Sequence, residues 1–299
     1  MHFKPLLATL TIAAAIALPK SASASDTTVS APAVVYCYDR GRDIVTRVLA
    51  SECDGTVVSE ADATVEAERR DQQIKRAMAA APRIGRDSLH IASLGTAFYV
   101  DESGKLLTNH HVVVDCKAVT VLTNSGEERP ARVLAIDAKL DLALLQTDAT
   151  ARAVAVFGVA SEMAGNSFVA TVGYPNQGLP PREPLVTEGV LLGVAAEGLS
   201  AGSMVIRADI RRGNSGGPIF DERGRVIGLL YAKINPVRVY DATGLDVEDT
   251  GLGIPLPVVL EFLRRNDARF RQAVGESKLG IDQLLAVARQ FVVRADCWK

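Results

Sequence analysis

Hydrophobic positions along the chain change period twice. Over residues 59–80 the larger apolar residues are only Val65, Ile74 and Met78, set among Ala, Glu, Arg, Gln and Lys. This predicts a helix with a largely solvated, charged face, ended by Pro82. From about residue 87 the period falls to two. Short apolar runs at 97–100, 119–122, 131–135, 142–145, 167–172, 204–206 and 226–231 are separated by Gly, Asn, Asp or Pro. Many short strands with turns between them predict an all-β domain, a sandwich or a pair of barrels. A helical pattern returns only at 258–271 and again at 281–292, ahead of Cys297-Trp298-Lys299. Before the first helix, Val34–Tyr38, the turn Asp39–Arg42 and Ile44–Leu49 read as a hairpin. A unit of that size needs a staple.

The cysteines supply one. The chain has four, and of the three pairings they allow we expect Cys37 with Cys53, closing the hairpin unit, and Cys116 with Cys297, tying down the tail. Pairing fits an exported protein, and the N-terminus reads as an export signal. Lys4 is followed by the apolar run Leu6–Leu18 and by Ala22-Ser23-Ala24, with cleavage expected after Ala24. The expected location is the periplasm or the medium, with no stable membrane insertion after signal removal. Acids number 35 and bases 33, so no field favours nucleic acid.

The chemistry is concentrated in three places. Gly213-Asn214-Ser215-Gly216-Gly217-Pro218 holds a serine between small residues, where the N–H groups of Gly213 and Ser215 can converge as an oxyanion hole. Thr108-Asn109-His110-His111-Val112-Val113 carries two of the four histidines. Asp137-Ala138-Lys139-Leu140-Asp141 places an acid at the mouth of the hydrophobic run that follows. A serine hydroxyl needs a histidine to take its proton and an acid to orient that histidine, and this order supplies His, Asp and Ser. His110 and Asp137 are the rivals of His111 and Asp141 as base and acid. With no HExxH helix and no Cys-x-x-Cys pair, no metal and no cofactor are expected.

On these motifs, region 87–265 resembles the trypsin-like (chymotrypsin-fold) serine proteases, and within them the bacterial HtrA/Deg type. Gly95-Thr96-Ala97-Phe98, Asp141-Leu142-Ala143-Leu144-Leu145, Val172-Gly173-Tyr174-Pro175, Thr187-Glu188-Gly189-Val190 and Gly251-Leu252-Gly253-Ile254-Pro255 carry the likeness with the serine and histidine motifs. The resemblance implies two antiparallel six-stranded β-barrels with the site in the cleft between them. It implies His111 as general base, Asp141 as orienting acid, Ser215 as nucleophile, and polypeptide substrates. The expected organisation is a signal peptide (1–24), a small N-terminal β unit (25–58), a helical connector (59–86), the protease domain (87–273) and a C-terminal helical tail (274–299). No PDZ domain is expected after this region, and PDZ gating is not assumed. Asn214 stands where digestive relatives have Asp, so activation by a newly cut N-terminus is not expected. Asp209, six residues before Ser215, falls where trypsin-like enzymes place the base of the substrate pocket. It either selects basic side chains or pairs with Arg207, Arg211 or Arg212. The alternatives to an active enzyme are a protease-fold binding or scaffold protein, and a protease latent until its N-terminal segment or tail is displaced.

Overall fold

The computed structural model describes residues 34–40, 44–79, 89–148, 150–159, 165–175, 183–195, 202–234, 249–274 and 277–299. The expected export signal (1–24) and the polar start after it lie outside the described residues.

In chain order, the N-terminal part holds β1 (Val34–Asp39), β2 (Ile44–Leu49), β3 (Thr56–Val58) and α1 (Glu60–Ala79). There follow β4 (Ile91–Tyr99), β5 (Lys105–Thr108), α2 (His110–Val113), β6 (Ala118–Leu122), β7 (Glu128–Asp137), β8 (Leu142–Thr147) and β9 (Val156–Phe157). Next come β10 (Ser167–Gly173), β11 (Leu185–Val194), β12 (Met204–Ala208), β13 (Pro218–Phe220), β14 (Val226–Lys233) and β15 (Thr250–Pro255). The chain ends with α3 (Leu256–Arg265), β16 (Arg271–Gln272), α4 (Ile281–Ala288) and β17 (Val292–Trp298).

The N-terminal unit is a three-stranded sheet in the order β2-β1-β3. The sequence reading found the hairpin but not β3, whose three residues are too few to show a period. Cys37 is buried and bonded to Cys53, which fastens the return of the chain onto β1. Ser59 starts α1 as its cap, its Oγ accepting the Asp62 N–H at 3.1 Å.

Two six-stranded rings follow, as expected. The strands β17, β4, β5, β8, β7 and β6 form one closed antiparallel barrel. In the second, β13, β10, β11, β12, β15 and β14 follow one another, and β14 pairs back onto β13. Closure buries both faces of some of the apolar runs: Leu142–Leu145 is wholly buried in β8, and every residue of β17 is buried, whereas Val133 and Leu134 of the β7 run stay exposed. Turn chemistry sets the hairpins. Asp101 Oδ1 accepts the Ser103 and Lys105 N–H groups between β4 and β5. Asp221 Oδ1 does the same for Arg223 and Arg225 between β13 and β14. Aromatic contacts join the layers, with Phe98 against Phe157 and Phe220 against Phe291 at 6.3 and 6.2 Å between centroids.

One expectation is corrected. The segment 274–299 was expected to be a helical tail, with a helix over 281–292. Only α4 is helical there, and the final residues form β17, inserted between β4 and β6. The run Val292-Val293 continues the apolar pattern of α4, and periodicity alone does not separate a buried strand from a buried helix end. Two side-chain contacts hold β17 in place: Cys297 is bonded to Cys116, and Trp298 Nε1 donates to Thr120 Oγ1 at 2.8 Å. Within the strand, buried Arg294 donates from Nε to Asp296 Oδ1 at 2.7 Å. Burial pushes the Asp296 carboxyl up, against the opposing pull of Arg294.

Because β17 closes the first barrel, its removal opens two strand edges at once. A chain truncated after Gln290 is expected to lose its cooperative thermal transition and to aggregate. An unchanged melt by circular dichroism would contradict the closure described here.

Candidate active site

The acid and the histidine meet at the N-terminal end of α2. Asp141 has φ 54°, a left-handed conformation that Asp tolerates better than most residues. This turn presents the whole residue to α2. Its carbonyl accepts the His110 N–H at 3.1 Å and the Asn109 Nδ2–H at 2.8 Å. Its Oδ1 accepts the His111 N–H at 2.9 Å, and its Oδ2 takes the His111 Nδ1–H at 2.6 Å. A carboxylate is an acceptor only, so this contact assigns the ring proton to Nδ1 and leaves Nε2 as the acceptor. The pair is partly open, with His111 46% and Asp141 23% exposed.

Ser215 lies on the turn before β13. Gly213 and Gly216 on either side have φ 95° and 83°, which glycine alone adopts without strain. A Cβ on Gly216 would sit 2.1 Å from the Thr96 carbonyl oxygen and 2.4 Å from Thr108 Oγ1. Gly95 is wedged between the Val112 side chain of α2 and the Ser215 carbonyl, with a Cβ there falling 2.7 and 3.1 Å from them. These close approaches bring the serine turn of the second barrel against the histidine helix of the first. The Ser215 hydroxyl donates to the Tyr231 carbonyl at 3.5 Å. Asn214, Gly216 and Gly217 donate their N–H groups to Arg211, Leu230 and Asn214 carbonyls. Among the described residues the N–H groups of Gly213 and Ser215 have no such acceptor.

The other sequence-level candidates fall as follows. The Asp137 side chain accepts the Lys139 and Leu140 N–H groups, at 3.1 and 3.0 Å, and so organises the β7–β8 turn. The His110 ring makes no hydrogen bond among the described residues. Asp209 forms an ion pair with Arg211, and Asn214 is buried with Oδ1 unpartnered among the described residues.

The sequence reading gave no role to Thr96, which the structure places at the centre. On β4, it donates from Oγ1 to the Gly213 carbonyl at 2.7 Å and from its N–H to the Ser215 carbonyl at 2.8 Å. It accepts the Tyr174 N–H on Oγ1 at 3.0 Å and the Thr108 hydroxyl on its carbonyl at 2.7 Å. The Tyr174 hydroxyl in turn donates to Asn124 Oδ1 at 2.8 Å, and burial pushes this phenol up, so it stays a neutral donor. Thr96 and Tyr174 both stand inside short motifs visible in the sequence, but the bonds that join Thr96 to Tyr174 and to Gly213 span 78 and 117 residues and leave no local pattern.

Known proteins resemble the chain over part of its length. Residues 95–229 match the family described as trypsin-like peptidase domain. An uncharacterized protein, y4bJ, of Sinorhizobium fredii is 31% identical over 73% of this chain and 34% of its own length. A probable periplasmic serine endoprotease, DegP-like, of Rhizobium meliloti is 35% identical over 51% of this chain and 30% of its own length. The solved structure of the HtrA-type protease AlgW with decapeptide covers 58% of this chain and 51% of that one, at 25% identity and a TM-score of 0.49. The chain thus spans about a third of the length of the curated relatives it matches. Residues 95–229, which hold the histidine, aspartate and serine motifs, are thus similar to a trypsin-like peptidase domain, and the chain is similar over about half its length to DegP-like serine endoproteases.

Proposed function

We propose that the protein is an exported serine endopeptidase that hydrolyses peptide bonds of polypeptide substrates through an acyl-enzyme. One observation carries this reading: Asp141 holds His111 in a single tautomer on the helix that meets the serine turn across Gly95, and among the described residues two N–H groups of that turn are unclaimed. In the reaction, Ser215 Oγ attacks the scissile carbonyl carbon as His111 Nε2 takes the hydroxyl proton. The oxyanion forms toward the N–H groups of Gly213 and Ser215, where fixed donors stabilise developing charge. His111 then gives its proton to the leaving amine, the C–N bond breaks, and the acyl group remains on Ser215. Water attacks the ester with His111 again as base, releasing the acid and restoring the hydroxyl. Asp141 holds the ring in place and stabilises the imidazolium. Periplasmic export is supported by the DegP-like relatives, named as periplasmic endoproteases.

The serine hydroxyl donates to Tyr231 and makes no hydrogen bond to His111 in this structure. That observation favours a second reading, a latent enzyme. Catalytic hydrogen bonds are often long or poorly aligned before substrate binds, so the hydroxyl needs only to turn about its Cα–Cβ bond. If the N-terminal segment enforces latency, removing residues 25–85 raises turnover; an assembled enzyme shows no such gain.

Two predictions follow from the arrangement. On an unfolded polypeptide substrate, Ser215→Ala and Asp141→Asn each lower kcat by about 10⁴-fold with little change in KM. Loss of turnover confined to KM would contradict the assigned roles. Thr96→Val removes the hydroxyl that serves Gly213 and Tyr174. It is expected to lower stability by about 2–4 kcal/mol in urea titration, from two stranded polar groups. It also reduces kcat, because the serine turn loses its tether. Wild-type kcat in a destabilised Thr96→Val protein would show that the tether serves the fold alone.

A further inference from the structure

We propose that Asn109 is a positioning residue of the site: its side chain leaves the capping bond that its place offers and pins the Asp141 main chain, so that the Asp141 carboxylate reaches His111. This inference rests on the serine endopeptidase reading and adds to it the residue that places the acid.

Asn109 stands where β5 and β8 part. The ladder between them ends with Thr108 opposite Ala143, and Asn109 and Asp141 lie just beyond its end. Asn109 is extended, with φ −80° and ψ 149°, and directly precedes the single turn of α2. The residue is fully buried. Its backbone lies against the serine turn, since a Cβ on Gly216 would fall 3.2 Å from the Asn109 nitrogen.

An asparagine in this place ordinarily turns its Oδ1 onto an N–H of the first helical turn. The Asn109 side chain makes no such bond. The His111 N–H, which it would take, is held at 2.9 Å by Asp141 Oδ1. Asn109 instead donates from Nδ2 to the Asp141 carbonyl at 2.8 Å. Its Oδ1 is left buried with no hydrogen-bond partner. A buried acceptor without a donor is unfavourable, and turning the amide over is no remedy, because only its NH2 side can serve a carbonyl.

What the arrangement secures is the acid. Asp141 is held at φ 54°, a conformation unfavourable for any residue but glycine, so its main chain needs fixing from outside. The Asn109 amide and the His110 N–H, at 3.1 Å, both bond its carbonyl. With that carbonyl fixed, Oδ1 and Oδ2 meet the N–H and the Nδ1–H of His111 together, at 2.9 and 2.6 Å. An Asn109 that capped α2 itself would satisfy its own oxygen, compete with Asp141 for the His111 N–H and leave the Asp141 carbonyl one bond short.

The test is kcat and KM on an unfolded polypeptide substrate, with melting by circular dichroism, for Asn109→Ser and Asn109→Ala. Serine can cap α2 through its hydroxyl but is too short to reach the Asp141 carbonyl, and alanine does neither. The expected result is that Asn109→Ser melts near the wild type while its kcat falls by about 10–100-fold with little change in KM, the scale of a misplaced catalytic group. Asn109→Ala loses as much kcat and melts lower. Added to Asp141→Ala, Asn109→Ser slows the enzyme no further, because no carboxylate remains to be placed. A purely structural role predicts the reverse: kcat falls only in step with melting temperature, and by equal factors with or without Asp141. That pattern, wild-type kcat in Asn109→Ser, or a serine variant that melts as low as the alanine one overturns the inference and leaves the endopeptidase reading intact. No turnover by the wild-type protein counts against the endopeptidase reading, and the inference falls with it.

Discussion

Thr96 is where the two barrels become one site. The first barrel holds the histidine and its acid, the second holds the serine, and a short segment of β4 bonds across to both carbonyls that flank the serine's neighbour Asn214. These bonds fix the turn in the orientation that leaves the Gly213 and Ser215 N–H groups without acceptors among the described residues. The constraint also explains the small residues around it. Gly95 and Gly216 lie where backbone meets backbone or side chain at distances no Cβ tolerates. The electrostatic arrangement of the site is therefore a consequence of packing between barrels, and a change at Thr96 acts on chemistry it does not touch.

The second constraint is the closure of the first barrel by the end of the chain. β17 lies between β4, which carries Thr96, and β6, and the Cys116–Cys297 bond joins it to the chain just after α2. Tyr174 reaches toward the same strand through Asn124. The segment following the second barrel thus supports the histidine side of the site, and the order of elements along the chain is not the order in which they support one another.

What the sequence made legible follows from how local each signal is. Period-two apolar runs mark the strands because closure demands them, and Asp-Gly turn chemistry marks the hairpins. The His, Asp and Ser motifs were readable because each combines its reactive residue with the small or branched neighbours its local geometry needs. Asp141 and His111 then meet as their positions imply. The role of Thr96, the third strand of the N-terminal sheet and the strand character of 292–298 were not readable. Their causes are long-range hydrogen bonds, a three-residue pairing segment and a buried run that fits helix and strand alike. The ion pair that engages Asp209 was open among three arginines in sequence, and only the fold chooses Arg211.

The central claim is that the fold delivers an activated serine. Labelling of the protein with a fluorophosphonate probe tests this most directly, with the modified peptide mapped and Ser215→Ala as control. The account predicts a single label on Ser215, absent in the control and strongly slowed by His111→Ala. A folded protein that takes no label, or takes it elsewhere, contradicts it.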